Sequence, residues 1–260
     1  GGLLIMAPRG VELVAASMVA LGLLGVIAAA FVPHTQAANP TVRPRFTIFI
    51  GTWDMIRHAL STRALLVAII GISWFWAVGA TYLTQLPVFT RFVVGGDETI
   101  VTLFNGFFSI GIAIGSLGCS KLLKGEVSLR YAPWALLVIA LMGIDLYFVS
   151  IGLDAPQGAA ISINHFFTQF SDFRILFDLT VLAISGGVFI VPLYTTLQVQ
   201  STTEVRARTI ASNNVMNALF VAIASLATVG LYAMGLSVEH VLLLFSLLTL
   251  PLIAWLWRYR

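Results

Sequence analysis

Long apolar runs separated by short polar segments are the dominant pattern along the chain. A bilayer core of about 30 Å needs about 20 apolar residues per helix, and backbone at that depth must satisfy its own hydrogen bonds. Seven runs of that kind are present, at residues 11–33, 64–90, 99–122, 132–153, 174–198, 209–233 and 240–257. The pattern therefore predicts an all-α protein that crosses a membrane seven times.

The composition agrees with this prediction. Hydrophobic residues make up 59% and charged residues 10% of the 260 residues, against about 45–50% and about 25% in soluble domains. The single cysteine, Cys119, excludes a disulfide framework within the chain and a Cys/His metal cluster. We expect no metal and no cofactor, and the net charge of +3 is no reason to expect nucleic acid, because in a membrane protein the distribution of charge matters more than its sum.

The basic residues alternate between the two ends of the predicted spans. Eleven of the fourteen Lys and Arg residues fall in one set of loops, which the positive-inside rule makes cytoplasmic. This set comprises Arg43, Arg45, Arg57, Arg63, Lys121, Lys124, Arg130, Arg206, Arg208, Arg258 and Arg260. Segment 154–172 has no Lys or Arg and is predicted to lie outside.

Segment 34–63 is the one long polar connection on the predicted inner side. Within it, TIFIGTWDMIRHALST carries an apolar stripe of Phe49, Trp53, Ile56 and Leu60. This spacing favours an amphipathic helix on the membrane surface, and an ordinary linker between two bundles fits equally well.

Three asparagines stand out in the span at 209–233. At 100° per residue, Asn213 and Asn217 lie about 40° apart and Asn214 about 60° beyond, so they share one stripe. Such amides either line a passage for a polar headgroup or hydrogen-bond to a neighbouring helix. Both interpretations are open.

Two other spans carry candidate contacts. Asn105 shares a face with three serines in the span at 99–122, and the opposite face carries Gly111, Gly115 and Gly118, a seam for close helix packing. In the span at 64–90, Trp74 and Gln85 share a face that would suit an amphipathic ligand, although aromatic residues in spans also serve as packing.

Two carboxylates lie at or near membrane depth. Asp178 follows Arg174 by four residues, a spacing that predicts an ion pair within one helix. Asp145 has no basic residue in its own span, and it is either a proton or cation site or a neutral group bonded to another helix. Arg206 and Arg208 mark the predicted cytoplasmic mouth, where they either meet a phosphate or only follow the topology rule.

No catalytic motif is present, so we do not expect this region to be an enzyme. Instead, GGVFIVPLYTTLQ (186–198) resembles a segment of the bacterial lysophospholipid transporter family, a branch of the major facilitator superfamily. RARTIASNNVMNALF resembles the next helix in the forms fused to a 2-acylglycerophosphoethanolamine acyltransferase. SWFWAVGATYL and FSIGIAIGSLGCSKLLKGEVSLRY are similar to the same family, in the same order.

The resemblance implies twelve helices in two six-helix halves. Residues 1–33 would then hold the end of helix 5 and helix 6 of the first half, 34–63 the central cytoplasmic loop, and 64–260 helices 7–12. Most of the first half would be missing. Helices 7 and 10 would line the cavity. Cys119 and Ser120 stand where the superfamily has an Asp-Arg pair, which weakens any claim about its usual gating ion pair.

The implied function is the movement of lysophosphatidylethanolamine-like lipids across the bacterial inner membrane for reacylation, with membrane lipids and a fused or associated acyltransferase as partners. The implied substrate pathway runs past Trp74, Gln85, Asn105, Asn213, Asn214 and Asn217, with headgroup or gating contacts from Asp178, Arg206 and Arg208. The alternatives are a drug or metabolite efflux carrier of the same superfamily, and a membrane anchor for a fused acyltransferase with no transport of its own.

Overall fold

The computed structural model describes residues 7–33, 57, 62–153, 160–203 and 205–258. These residues form one four-residue helix and seven long ones, which are long and apolar enough to cross a membrane. The predicted all-α membrane fold is confirmed. The helices are α1 (Gly10–Ala30), α2 (Arg63–Phe89), α3 (Glu98–Leu123), α4 (Ala132–Ser150), α5 (Ile163–Phe166), α6 (Phe170–Val199), α7 (Arg206–Ala233) and α8 (Val238–Trp257).

The chain divides into two units. In the described residues the first unit consists of α1, a 21-residue helix without Lys or Arg. The second contains α2 to α8 and the core, which is built from apolar side chains of its long helices. The apolar stripe of the predicted amphipathic helix, Phe49, Trp53, Ile56 and Leu60, lies outside the described residues, as does the stub at 1–7 apart from its last residue.

Contacts between non-consecutive helices agree with a topology in which successive long helices of the second unit run in opposite directions. Along α2 and α7, contacts follow the same order, Ser73 with Asn217 and then Gln85 with Tyr232, so these two helices are parallel. Rings pair in the reverse order along α4 and α8, Trp134 with Trp257 at one end and Tyr147 with His240 at the other. This alternation is what a chain that crosses the bilayer repeatedly requires.

The loop that follows α2 is joined by backbone hydrogen bonds to the segment that precedes α5. α2 continues as a π-helical turn, Thr90–Val94, and the strand-like contact that follows joins Gly95–Asp97 to Ile161. Asp97 N donates to Ile161 O at 3.0 Å, and Ile161 N donates to Gly95 O at 2.8 Å. Both segments belong to loops predicted to lie outside, so the contact agrees with the alternating topology.

Glycines bring α3 and α6 close together. A Cβ on Gly115 would overlap with the carbonyl oxygen of Ile184, and one on Gly111 would lie 2.8 Å from the Cβ of Ala183. The predicted small-residue seam is therefore confirmed for Gly111 and Gly115. It is wrong for Gly118, where an added Cβ would meet nothing within 4 Å, because the glycine lies to one side of the interface.

Candidate functional site

An apolar cleft of about 640 Å³ lies between α2 and α6. Its floor includes Phe108 and Ile112 from α3 and Leu136 and Ile139 from α4. The volume lies within the range of about 300–1,000 Å³ that is typical of small-molecule sites. The walls come from the two helices that the family resemblance assigns to the cavity.

A hydrogen bond joins the two walls of this cleft. The indole N–H of Trp76 on α2 donates to the hydroxyl of Tyr194 on α6 at 3.0 Å, and both side chains line the cleft. Gln198 lies one turn beyond Tyr194 and is exposed. These three residues are absent from the sequence-based pathway. Tyr194 and Gln198 do belong to the segment GGVFIVPLYTTLQ, so the motif itself was the signal that could have found them.

Trp74 is the one predicted pathway residue that lines the cleft. Its indole N–H donates to the hydroxyl of Thr249 on α8 at 3.1 Å. The buried hydroxyl of Thr249 in turn donates to Phe245 O. The polar atom of Trp74 is thus used to hold α2 against α8, and its ring supplies apolar surface to the cleft.

Two predicted residues lie at the interface between α2 and α7. Asn217 Oδ1 accepts a hydrogen bond from Ser73 Oγ at 2.9 Å. Gln85 is buried, and its Oε1 accepts a hydrogen bond from the hydroxyl of Tyr232. Both amides therefore connect helices in this structure, and for Asn217 this is the second of the two roles that the sequence left open.

The other two asparagines of α7 have different surroundings. Asn213 is 1% exposed, and neither its Oδ1 nor its Nδ2 has a hydrogen-bond partner among the described residues. Asn214 is exposed on the neighbouring face. The stripe is thus divided between a buried amide and one that faces out of this helix bundle.

Asn105, Arg206 and Arg208 lie apart from the cleft. Asn105 is half-buried on α3, and its Nδ2 donates to Val101 O within the same helix at 2.9 Å. Arg206 and Arg208 are exposed in the first turn of α7, where Arg206 also donates to Ser201 O at 3.3 Å. Their position at a helix end leaves both guanidinium groups accessible.

The predicted ion pair between Arg174 and Asp178 is wrong. Arg174 instead forms a two-point pair with Asp145 on α4, in which its Nε donates to Asp145 Oδ2 at 2.8 Å and its Nη2 contacts Asp145 Oδ1. Asp145 is therefore neither isolated nor a simple neutral group. Asp178 is 1% exposed, and its two oxygens have no hydrogen-bond partner among the described residues.

The structure therefore groups the predicted residues into three places. Trp74 belongs to the cleft, Gln85 and Asn217 to the α2–α7 interface, and Asp178 to a cluster with Asp145 and Arg174. The sequence could not separate these groups, because a helical stripe shows which residues share a face and not which helix covers that face.

Comparison with known proteins identifies similar chains. Lysophospholipid transporter LplT of Serratia proteamaculans (strain 568) is 27% identical over 187 residues, which cover 70% of this chain and 41% of the relative. LplT of Enterobacter sp. (strain 638) is 28% identical over 178 residues, 66% of this chain and 39% of the relative. LplT of Klebsiella pneumoniae (strain 342) is 26% identical over 220 residues, 82% of this chain and 48% of the relative.

The chain is a relative of the bacterial lysophospholipid transporters. The similarity to lysophospholipid transporters drawn from its motifs is thereby confirmed, whereas the fusion to an acyltransferase stays a prediction. The chain spans less than half the length of the curated relatives it matches. No protein-family model matches the chain. No solved structure matches it significantly. Its spanning helices and its relatives together make it a multi-pass protein of the bacterial inner membrane.

Proposed function

We propose that the chain is the C-terminal part of a lysophospholipid transporter of the bacterial inner membrane. The transported lipids are of the lysophosphatidylethanolamine type, and they are carried inward for reacylation. The names of the relatives, lysophospholipid transporters, support the substrate class. Transport by rocking of two halves about a site near the bilayer midplane requires a first six-helix half in the complete protein.

The apolar cleft between α2 and α6 is the observation that carries this proposal. A lysophospholipid has one acyl chain, which needs apolar surface, and one charged headgroup, which needs polar partners. The cleft offers almost entirely apolar surface along its length. Polar groups of Trp76, Tyr194, Thr195 and Gln198 occur on the two helices that form its walls. One acyl chain along this cleft, with the headgroup beyond it, fits that distribution.

The headgroup would be held by amides outside the cleft. Asn214 is exposed on α7 and is the first candidate, and Asn105 is half-buried on α3. Gln85, Asn213 and Asn217 complete the proposed pathway from within the bundle. Arg206 and Arg208, exposed at the start of α7, would meet the phosphate as the lipid leaves on the cytoplasmic side.

This region would transport the lipid, and another protein or domain would acylate it. Its relatives are named as transporters, and the reacylation would be performed by a fused or associated acyltransferase. In that arrangement the transported lipid is the substrate of acyl transfer. It would leave the transporter at the cytoplasmic end of α7.

Uptake of labelled lysophosphatidylethanolamine into spheroplasts tests the proposal directly. Cells that express the full-length protein should take up the lipid faster than cells without it. A panel of small organic cations, assayed in the same spheroplasts, tests the efflux alternative. Export of the cations with no lysophospholipid uptake would replace the proposal by a drug carrier, and transport of neither, with intact acyltransferase activity, would favour a membrane anchor.

A further inference from the structure

Asp178 places a carboxyl group in the interior of the bundle without a hydrogen-bond donor. It is 1% exposed and lies eight residues after the start of α6, about 12 Å along the helix axis. Neither of its oxygens accepts a hydrogen bond from any described residue. An isolated carboxylate at such a position is strongly disfavoured, so the group needs either a cation or a proton.

The charges around Asp178 do not balance. The ionic groups that act on it are the carboxylate of Asp145 on α4 and the guanidinium of Arg174 on its own helix. Arg174 already contacts both oxygens of Asp145. Two ionised carboxylates and one guanidinium would leave one negative charge within a membrane span, and one proton would bring the cluster to neutrality.

Among the described residues, the other helices packed against α6 supply no second cation, because their basic residues, Arg63 on α2, Lys121 on α3 and Arg206 and Arg208 on α7, are exposed near helix ends. On α2, the buried hydroxyl of Tyr82 is close enough to Asp178 for an electrostatic interaction. This hydroxyl forms a 3.1 Å hydrogen bond with Ser246 Oγ on α8. α3 carries its charged side chains, Glu98 and Lys121, near its two ends, where both are exposed. Within the described residues, Arg174 is thus the one cation that offsets the two carboxylates.

We propose that Asp178 and Asp145 share one exchangeable proton, which makes this cluster a proton-binding site between α4 and α6. In the protonated state Asp178 is a carboxylic acid, and its O–H donates to the carboxylate of Asp145, which also accepts from Arg174. In the deprotonated state the proton has passed to water, both carboxylates are charged, and they repel each other across the helix interface.

The proposed proton would enter from a groove on the surface of the bundle. The groove has a volume of about 780 Å³, and its lining includes Asp145, Arg174 and the rings of Phe107, Phe173 and Phe177. The ion pair is partly exposed there, with 42% of the Arg174 side chain and 33% of the Asp145 side chain accessible. Asp178 is buried and does not line the groove, so a proton would reach it by way of Asp145.

The site suits a proton better than a metal ion. A hard cation requires several oxygen ligands, whereas both oxygens of Asp145 are already engaged by Arg174. No group of three or more acidic, histidine or cysteine side chains in the described part of the chain could hold a metal. A proton needs only one donor position and one acceptor.

Proton binding here would act on the cleft through α6, which forms one of its walls. Repulsion between Asp178 and Asp145 in the deprotonated state would loosen α6 from α4, whereas the shared proton would hold them together. We therefore expect lipid movement to be coupled to proton movement. This coupling rests on the proposed function, whereas proton binding itself does not.

Infrared difference spectra of the purified full-length protein between acidic and alkaline pH test the proton site. The wild type should show the carbonyl band of a protonated carboxylic acid, and Asp178→Asn should lose it. Asp145→Asn should lose it too, because Asp178 then balances Arg174 without a proton. Glu98→Gln, which alters an exposed carboxylate, should keep the full band.

Three results would overturn the site. The band could persist unchanged in Asp178→Asn, or it could persist in Asp145→Asn, which would mean that the proton is not shared. It could also disappear on addition of sodium ions at constant pH, which would make the cluster a sodium site. Because Asp145→Asn leaves Asp178 in place, the test does not depend on the folding of one variant.

Proteoliposomes with a pH-sensitive dye in the lumen test the coupling. Lysophosphatidylethanolamine uptake by the wild type should change the lumenal pH, and uptake by Asp178→Asn should leave it unchanged. An infrared band without any lipid uptake would refute the proposed function and leave the proton site standing. Lipid uptake without a pH change in the wild type would refute the coupling alone.

Discussion

Arg174 on α6 pairs with Asp145 on α4 and not with Asp178, one turn further along its own helix. An i, i+4 pair stabilises a helix by only about 0.2–0.5 kcal/mol, whereas a two-point contact between arginine and a carboxylate aligns two hydrogen bonds at once. The pair therefore bridges α4 and α6, and it leaves Asp178 without a donor.

Removal of the arginine should destabilise the protein more than removal of the whole pair. Arg174→Gln leaves Asp145 and Asp178 as two neighbouring carboxylates with no cation, so its melting temperature should fall below that of the wild type. The double variant Arg174→Gln/Asp145→Asn should recover part of the loss, because one of the two charges is gone. Thermal unfolding of the full-length protein in detergent measures both.

The control for this prediction is Arg91→Gln, which changes an exposed arginine near the outer end of α2. Its melting temperature should match the wild type. If the double variant were less stable than Arg174→Gln alone, the pair would not be the reason that Arg174 is needed.

Close packing of α3 on α6 should make Gly115 intolerant of any side chain. Gly115→Ala places a methyl group against the backbone of Ile184, which cannot move aside as a side chain would. We expect the free energy of unfolding to fall by about 1–3 kcal/mol, the cost of overpacking. Gly118→Ala on the same helix has open space and should be neutral or stabilise by up to about 1 kcal/mol.

Urea or thermal unfolding in detergent can compare these two alanine variants directly. Equal stability of Gly115→Ala and the wild type would show that α3 and α6 do not approach as closely as the structure has them.

Substitutions of Asn214 and Asn217 on α7 should affect different properties of the protein. Asn217→Leu removes the acceptor for Ser73 and should lower both stability, by about 1 kcal/mol, and lysophospholipid uptake. Asn214→Ala changes an exposed side chain, so it should lower uptake while stability stays at the wild-type level. Uptake by spheroplasts and thermal unfolding separate the two effects.

Unchanged uptake in both folded variants would remove these amides from the proposed pathway. Lower uptake in Asn217→Leu alone would assign the loss to the α2–α7 interface and not to contact with a headgroup.

Filling the cleft should block the acyl chain. Gly79 lines the cleft on α2, and a Cβ there has open space, so Gly79→Leu should place its side chain in the cleft without disturbing the fold. We expect uptake to fall about tenfold, equivalent to about 1.4 kcal/mol. Gly106→Leu on α3 is the matched control, since it also has open space and does not line the cleft.

Equal uptake by the two leucine variants would show that the acyl chain does not pass along this cleft. A loss in Gly106→Leu of the same size would point to a general effect of added bulk on the membrane helices.

The sequence by itself determined the helices. Backbone in a bilayer must bond to itself, so runs of about 20 apolar residues can adopt only one structure. Their number, their order and most of their bounds follow from that rule. The largest difference at a helix start is in α6, which begins at Phe170, four residues before the predicted start at 174. The motif around GGVFIVPLYTTLQ also sufficed to indicate the lysophospholipid transporter relatives.

Only the tertiary structure decided which polar groups meet. Asp145, Arg174 and Asp178 come from two helices, and Trp76 meets Tyr194 across 118 positions of the chain. Helical periodicity gives the angle of each residue about its own axis but says nothing about the rotation of that axis against its neighbours. That rotation is fixed by close contacts such as Gly115 against Ile184, which depend on the shapes of two helices together.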